Sequence, residues 1–174
     1  MTPALLLIDV QRNMLLPPEP IPDASAVRAA LTELLARARR AGSVIVHVRN
    51  SGDPEVGDPD VPGTPGWELV FEPLPEEHVI DKLSSDSFDG TGLERLLPAK
   101  SPLVVAGMQS EYCVRATSLA AISRGHAVVL ASGAHATYPD AFPDGQPAEE
   151  ISAAVELELA AAGAEITPWD GIRF

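Results

Sequence analysis

A chain of 174 residues, 45% of them apolar, is long enough to bury one substantial core, so we expect a single domain over residues 1–174. The 25 acidic residues outnumber the 12 basic ones, and the net charge of -13 disfavours nucleic acids and membrane surfaces as partners, because no large basic patch can form. The single cysteine excludes an internal disulfide and a cysteine-based metal cluster. No apolar run approaches the length that crosses a bilayer and no signal peptide is recognisable, so we expect a cytoplasmic protein.

The first half of the chain alternates short apolar runs with an amphipathic one. Residues 4–8 are continuously apolar, which is typical of a strand covered on both faces. Apolar residues then recur with the period of a helix, which Asp23 or Ser25 could cap and which Gly42 ends. Residues 44–48 are mostly β-branched and predict a second strand.

The second half repeats this alternation of strands and helices. The patterns predict strands at residues 78–81, 103–106, 127–131 and 164–167, and helices at residues 92–97, 114–124 and 148–162. Repeated strand–helix alternation predicts a parallel sheet with helices on both faces. We therefore expect an α/β protein with a three-layer α/β/α Rossmann-like fold, whose central sheet is mostly parallel and has about six strands.

Two long loops interrupt the pattern. Residues 51–78 hold six prolines and four glycines, and residues 133–147 hold Pro139, Pro143 and Pro147. A compact domain rarely keeps so long a loop without a use, and the usual use is a lid or a pocket wall. Parallel sheets bind ligands at the carboxyl ends of their strands, so we expect the loops to determine the substrate there.

Three chemically complementary groups follow the predicted strands. Asp9 and Gln11 come after the first strand, Lys82 after the third, and Cys113 after the fourth by way of a turn. A nucleophilic thiol needs a base, and a buried carboxylate serves if a cation keeps it in place. The alternatives are an ordinary buried ion pair of Asp9 and Lys82 and a cysteine that is only a small buried apolar side chain. The shared sheet edge favours the catalytic interpretation.

The position of Cys113 also predicts the state of its thiol. It lies between the end of a strand and the start of a helix, where backbone N–H groups converge and the helix dipole is positive. This environment favours thiolate over thiol. The sequence therefore predicts that the pKa of Cys113 is lowered from the value of ~8.5 of a free cysteine.

Three segments resemble the isochorismatase-like cysteine hydrolases, the relatives of nicotinamidase and N-carbamoylsarcosine amidase. They are residues 9–11 (Asp-Val-Gln), Lys82 followed by residues 87–88 (Ser-Phe), and residues 107–117, which end in Cys-Val-Arg-Ala-Thr. The resemblance runs from the first predicted strand to the last predicted helix. Residues 133–138 (Gly-Ala-His-Ala-Thr-Tyr) resemble more particularly a subgroup that includes streptothricin hydrolase.

The resemblance implies a catalytic triad of Asp9, Lys82 and Cys113. Cys113 would attack a carbonyl carbon, Asp9 would act as the base, and Lys82 would orient Asp9 and tune both pKa values. The resemblance also implies that the backbone N–H groups of Gln109 and Cys113 hold the oxyanion. The Met108–Gln109 peptide bond would be cis.

The chain departs from the nicotinamidases at three places. Nicotinamidases carry an aspartate and histidines after the second strand that bind a metal, whereas here no histidine occurs between His47 and His78. Because the histidines are scattered, we expect neither a metal nor another cofactor. Met14 stands where nicotinamidases have a phenylalanine, and Gly133 where many family members have an aspartate.

Side chains beside the strand ends are predicted to line a pocket for a small-molecule substrate. They are Gln11, Met14, Trp67, Phe88, Tyr112, His135 and Tyr138. The four aromatic residues are placed on loops, and their alternative role is packing against the domain body or, for Trp67, against a neighbouring subunit. His135 either lines the pocket or caps the fifth strand. We expect a homo-oligomer, a dimer or a tetramer, because members of the family commonly self-associate.

The predicted activity is metal-independent hydrolysis of a C–N bond in a small amide, lactam or carbamoyl compound, through a thioester on Cys113. A streptothricin-type lactam is one such substrate. One alternative is hydrolysis of an isochorismate-type vinyl ether, which uses acid catalysis without a cysteine and is disfavoured by Cys113 and by the acidic composition. The other alternative is a catalytically silent family member that acts as a binding or assembly protein.

Overall fold

The computed structural model describes residues 2–98, 100–140 and 145–174. The centre of the protein is a sheet of six strands: β1 (Ala4–Ile8), β2 (Ile45–Asn50), β3 (His78–Lys82), β4 (Leu103–Met108), β5 (Val128–Ala136) and β6 (Glu165–Pro168). All neighbouring strands are parallel, in the order β3-β2-β1-β4-β5-β6. The predicted α/β fold with a mostly parallel sheet of about six strands is confirmed.

Within the described residues, the α-helices are α1 (Arg12–Leu15), α2 (Ala24–Ala41), α3 (Leu93–Leu96), α4 (Arg115–Ser123) and α5 (Ala148–Ala161). A π-helical turn, Ser110–Val114, joins β4 to α4, and a 3-10 turn, Trp169–Gly171, follows β6. Asp23 occupies the N-cap position of α2 without a side-chain hydrogen bond, and Gly42 closes the helix with a φ of 66°. None of the described helices is long and apolar enough to cross a membrane.

Alternate side chains of the central strand β1 face opposite halves of the core. Leu5 is buried in the cluster that includes Leu34 of α2, while Leu6 is buried in the cluster that includes Val155 of α5. Period-two alternation of a strand produces this division, because successive side chains point to opposite faces. Since helices cover both faces, a ligand can reach the sheet only at its ends.

β5 extends further than the sequence predicts. The predicted loop over residues 133–147 is wrong at its start, because residues 133–136 belong to β5. The strand passes through a register shift opposite β4, and Gly133 in this stretch adopts a φ of 77°. A Cβ at Gly133 would lie 3.1 Å from Cδ1 of Trp169, so both the backbone and the space disfavour a larger residue. Pro143, one of the three prolines of the predicted loop, lies outside the described residues.

The long loop between β2 and β3 is fastened to the carboxyl end of β1. Gln11 forms an antiparallel bridge with Leu69. The side-chain amide of Gln11 donates to the carbonyl oxygens of Asn50 and Trp67, both at 3.0 Å, and accepts the Asn50 N–H at 2.8 Å. Gln11 is buried, so these bonds are shielded from water. The loop is thereby held over the sheet edge at which the predicted functional groups end.

Candidate active site

Three strands deliver a carboxylate, an ammonium and a thiol to one point. Asp9 follows β1, Lys82 is the last residue of β3, and Cys113 lies in the π-helical turn after β4. The Lys82 Nζ lies 2.9 Å from Asp9 Oδ2 and 3.1 Å from Cys113 Sγ. Asp9 and Lys82 are both only 2% exposed. The structure therefore brings together the three side chains that were predicted to form a triad.

Close approach of β1 and β4 makes this meeting possible. Gly107 pairs with Ile8 and has a φ of 122°. A Cβ at Gly107 would collide with the carbonyl oxygen of Ile8, so only glycine fits between the two strands. Asp9 itself has a φ of 49°, in the left-handed region that residues other than glycine seldom adopt. The Met108–Gln109 peptide bond that follows Gly107 is cis, as the resemblance implies.

The Asp9 carboxyl group has fewer hydrogen-bond donors than an ionised group needs. Its Oδ2 faces Lys82, whereas its Oδ1 has no N–H or O–H donor in the described part of the chain. The Cys113 thiol adds only a weak hydrogen-bond donor near this carboxyl group. Burial raises the pKa of Asp9, although the charge of Lys82 and the two hydrogen bonds oppose the rise. A carboxylate with a raised pKa and an open oxygen is suited to accept a proton.

Burial reverses the prediction made for the Cys113 thiol. Burial and the negative charge of Asp9 raise the pKa of Cys113 to about 12, although the ammonium of Lys82 acts in the opposite direction. The prediction of a lowered pKa is therefore wrong, since desolvation outweighs the position at the start of a helix. Burial alone would lower the pKa of Lys82, but the charges of Asp9 and Cys113 raise it. At neutral pH Cys113 is therefore a thiol, and attack by its sulfur requires transfer of the thiol proton.

A cavity of about 450 Å³ lies next to this group: Asn50 and Gln109 are part of its lining, whereas Asp9, Lys82 and Cys113 are not. Its lining consists of Asn13, Met14, Glu19, Asn50, Asp58, Pro59, Asp60, Gln109 and Tyr138. Met14 and Tyr138 were predicted to line a pocket, and Gln109 precedes the turn that carries Cys113. The Tyr138 hydroxyl donates to the backbone oxygen of Glu19 at 2.7 Å, which joins two walls of the cavity. The cavity provides space for a small substrate between the loops and the sheet edge.

The structure places two of the predicted pocket aromatics in packing roles. Phe88 is buried in the core and stacks on His126, with a ring-centroid distance of 6.2 Å, while Arg124 lies over its ring. Trp67 lies beneath Arg49, whose Cζ is 3.4 Å from the ring centroid. Both rings therefore stabilise loops against the body of the protein, which is the alternative that the sequence left open.

Three further predicted pocket residues also lie outside the lining of this cavity. Gln11 is buried, and its side-chain amide is hydrogen-bonded to Asn50 and to the backbone of the long loop. Tyr112 belongs to the π-helical turn rather than to a loop, and 58% of it is exposed. His135 is buried within β5, where it hydrogen-bonds to Ser110 and Glu156. His135 lines a different cavity, whose lining does not include Met14.

Asn50 and Asp60 also belong to this site, although neither is among the predicted site residues. The Asn50 Oδ1 accepts a hydrogen bond from Lys82 Nζ at 3.1 Å, and its Nδ2 donates to Asp60 Oδ2 at 2.8 Å. Asn50 is the last residue of β2, so the rule that selected Asp9 and Lys82 would also have found it. Asp60 is 5% exposed but lies within the proline-rich loop, where no periodic pattern marks it.

The residues at the end of β2 do not form a site for the metal that nicotinamidases bind. The amide oxygen of Asn50 is occupied by Lys82 and its amide nitrogen by Asp60. His47 and His135 are each hydrogen-bonded to a glutamate away from this position. No group of three or more His, Cys, Asp or Glu side chains that could hold a metal ion occurs within residues 2–98, 100–140 and 145–174. The donor set therefore lacks the clustered ligands that a zinc site requires.

Comparison with known proteins agrees with this geometry. Residues 3–166 match the model of the isochorismatase domain family. Two proteins named streptothricin hydrolase, both from Streptomyces noursei, are 46% and 45% identical to the chain over 165 and 164 residues. These alignments cover 90% of the chain but only 59% and 64% of the relatives, so the chain spans about three fifths of their length.

Solved structures show the same fold. An isochorismatase from Pseudomonas putida KT2440 superposes with a TM-score of 0.86 at 31% identity, over 97% of this chain and 89% of that one. The pyrazinamidase of Pyrococcus horikoshii in complex with zinc superposes with a TM-score of 0.79 at 26% identity, over 97% and 99% of the two chains. The sequence resemblance is thereby confirmed, and the chain belongs to the isochorismatase domain family.

Proposed function

We propose that the chain hydrolyses a C–N bond of a small amide, lactam or carbamoyl compound by nucleophilic catalysis at Cys113, without a metal ion. The observation that supports this most strongly is the contact of Lys82 Nζ with both Asp9 Oδ2 and Cys113 Sγ, at 2.9 and 3.1 Å. A structural ion pair would not require a thiol beside it. The names of the similar Streptomyces noursei proteins make a streptothricin-type lactam the first substrate to test.

In the first half-reaction, the Cys113 sulfur attacks the carbonyl carbon as its proton passes to Asp9. The raised pKa of Asp9 favours this transfer, and the ammonium of Lys82 stabilises the single negative charge while it passes from the Asp9 carboxylate through the sulfur to the carbonyl oxygen. The backbone N–H groups of Gln109 and Cys113 hold the oxyanion. Such donors typically contribute about 3–4 kcal/mol each when measured by removal. Asp9 then gives its proton to the leaving nitrogen as the C–N bond breaks.

In the second half-reaction, the acyl group leaves the enzyme. Asp9, ionised again, takes a proton from a water molecule as the water oxygen attacks the thioester carbon. The tetrahedral intermediate collapses with expulsion of the Cys113 sulfur, which recovers the proton from Asp9. One water molecule is consumed, and the products are a carboxylic or carbamic acid and an amine or ammonia.

The charge of the cavity favours a neutral or cationic substrate. Glu19, Asp58 and Asp60 contribute carboxyl groups to its lining, and no lysine or arginine is part of that lining. The negative charge of Asp60 also reaches the reacting group, because it contributes to the raised pKa of Asp9. A dianion such as isochorismate would be repelled by this wall. The cavity therefore supports amide hydrolysis over the vinyl-ether alternative.

Turnover of an amide panel by the wild type and by Cys113→Ala tests the proposal. The panel contains streptolidine lactams, ureido acids and simple aromatic amides, and release of ammonia or amine is measured. We expect the wild type to hydrolyse at least one compound and Cys113→Ala to lose all turnover while its thermal unfolding stays cooperative. Mass spectrometry of the wild type during turnover should detect the acyl group on Cys113. Equal turnover by Cys113→Ala would contradict the proposal.

A further inference from the structure

A chain of hydrogen bonds, buried at its centre and partly buried at its ends, runs from α5 to the turn that carries Cys113. The Ser152 Oγ lies 3.0 Å from Ser110 Oγ, and Ser110 Oγ lies 2.8 Å from His135 Nδ1. On the other side of the ring, His135 Nε2 lies 3.1 Å from Glu156 Oε1. Ser110 is fully buried and His135 is 5% exposed, so water cannot replace these partners without a change in packing. Neither side chain has a part in the proposed reaction.

The hydrogens of this chain have one consistent arrangement when the imidazole is neutral. Glu156 has a lowered pKa, chiefly because His135 hydrogen-bonds to it, and its carboxylate can only accept. The imidazole proton therefore lies on Nε2, and Nδ1 accepts the hydroxyl proton of Ser110. Ser110 in turn accepts the hydroxyl proton of Ser152. Every donor has one acceptor, so the chain fixes the rotamers of both serines and the plane of the ring.

The chain acts on the position of the nucleophile through Ser110. Ser110 is the first residue of the π-helical turn that contains Cys113, and Gln109 directly precedes it. Thr137, the first residue after β5, also holds the start of this turn, because its Oγ1 lies 2.8 Å from Glu111 Oε1 and 3.2 Å from Gln109 Oε1. Thr137 thus holds the two residues that flank Ser110, while His135 holds Ser110 itself.

We infer that His135 is a positioning residue: by accepting the Ser110 hydroxyl it holds the turn Ser110–Val114, and with it the sulfur of Cys113, in place beside Lys82. This role concerns the Nδ1 atom of the ring, whereas the contact of Nε2 with Glu156 orients the ring. The inference about turnover rests on the proposed hydrolase function. The inference about the position of the sulfur does not, because the reactivity of the thiol can be measured without a substrate.

Two amide substitutions separate the two ring nitrogens. The side-chain amide in His135→Asn occupies the position of Nδ1 and can still accept from Ser110, whereas that in His135→Gln occupies the position of Nε2 and reaches Glu156 only. Both variants lose part of the ring volume. His135, Ser152 and Glu156 border a cavity of about 420 Å³, so the lost volume joins existing space instead of creating a sealed void.

The measurements are kcat and KM for any amide that the wild type hydrolyses, the alkylation rate of Cys113 by iodoacetamide, and the midpoint of thermal unfolding. We expect His135→Gln to lower kcat on the order of tenfold to a hundredfold with little change in KM, because a small displacement of a nucleophile has this effect. Its Cys113 should be alkylated faster than in the wild type, because a loosened turn exposes the thiol. His135→Asn should retain kcat and alkylation rate within about threefold, which is a difference of less than about 1 kcal/mol.

Each outcome decides the inference. Equal losses of kcat in the two variants, or losses that follow the unfolding midpoints, would show a merely structural role and overturn it. Wild-type kcat and alkylation rate in His135→Gln would overturn it as well. If the wild type hydrolyses no amide, the proposed function fails, and the alkylation rates alone then decide: a faster rate in His135→Gln than in His135→Asn supports the positioning role, and equal rates overturn it.

Discussion

Two buried carboxylates of this protein, Asp9 and Glu77, have pKa values that are shifted in opposite directions. The Glu77 side chain is 2% exposed and its oxygens accept from Arg39 Nε at 2.6 Å, Arg39 Nη2 at 3.0 Å and the Leu74 N–H at 3.0 Å, while His47 Nε2 lies at 2.9 Å. The Asp9 side chain is equally buried, but only Lys82 and the weak thiol donor face it.

The difference in donors sets the difference in pKa. Burial alone would raise the pKa of Glu77, but the hydrogen bonds from Arg39, Leu74 and His47 lower it to about 2. Burial raises the pKa of Asp9 because a single ammonium and a thiol do not compensate for the lost water. A saturated buried carboxylate is held ionised and serves structure, whereas an unsaturated one is prepared to take up a proton.

The comparison predicts its largest effect for turnover. Asp9→Asn removes the proton acceptor, so we expect kcat to fall by about a hundredfold to ten-thousandfold, the usual contribution of a general base. Glu77→Gln is the matched control, since it makes the same chemical change in the other buried carboxylate and should keep kcat near that of the wild type. Steady-state kinetics on a hydrolysed amide measures both. Similar losses of kcat in the two variants would break the distinction between them.

A second prediction concerns the reactivity of the Cys113 thiol, which Asp9→Asn should raise although it lowers kcat. The charge of Asp9 contributes to the raised pKa of Cys113, while Lys82 lowers it. Asp9→Asn removes the first effect and leaves the second, so the pKa of Cys113 should fall and alkylation by iodoacetamide at pH 7 should accelerate. Each unit of the fall raises the thiolate fraction about tenfold. The same variant would thus gain thiol reactivity and lose turnover, while Glu77→Gln changes neither.

A slower alkylation in Asp9→Asn would contradict this account of the site. It would mean that Asp9 activates the Cys113 thiol even towards iodoacetamide, whose leaving group needs no proton. The rates are obtained from intact-mass spectra at a fixed reagent concentration, with Cys113→Ala as the unreactive reference.

The sequence predicted the sheet and the three central groups because these depend on local pattern. Asp9 directly follows an apolar run and Lys82 directly follows the predicted strand 78–81, and the sheet brings such positions to one edge. Asp60 could not be predicted as a site residue, because its contact with Asn50 depends on the path of a loop without periodicity. The direction of the pKa shift of Cys113 could not be predicted, because burial sets it and burial arises only when distant segments pack together.

Glu77 gives the smallest predicted effect, a change in the acid sensitivity of folding. Its pKa is about 2 in the folded protein and 4.5 as a reference, so the unfolded chain binds the proton more tightly and the stabilisation, present above pH 4.5, is lost as the pH falls towards 2. From pH 5.5 to pH 3.0 the expected loss is about 2 kcal/mol. Asp9 acts in the opposite sense, because a raised pKa makes its contribution largest at low pH.

Urea unfolding of the wild type and of Glu77→Gln at pH 5.5 and pH 3.0 measures this contribution. The variant should be less stable at pH 5.5 and should lose less stability on acidification, because glutamine has no proton to bind. Glu33→Gln is the control: Glu33 is a partly exposed carboxylate beside Arg37, and its neutralisation should leave the acid sensitivity nearly unchanged. If Glu77→Gln lost as much stability on acidification as the wild type, the four donors around Glu77 would not be what holds it ionised, and the contrast with Asp9 would lose its physical basis.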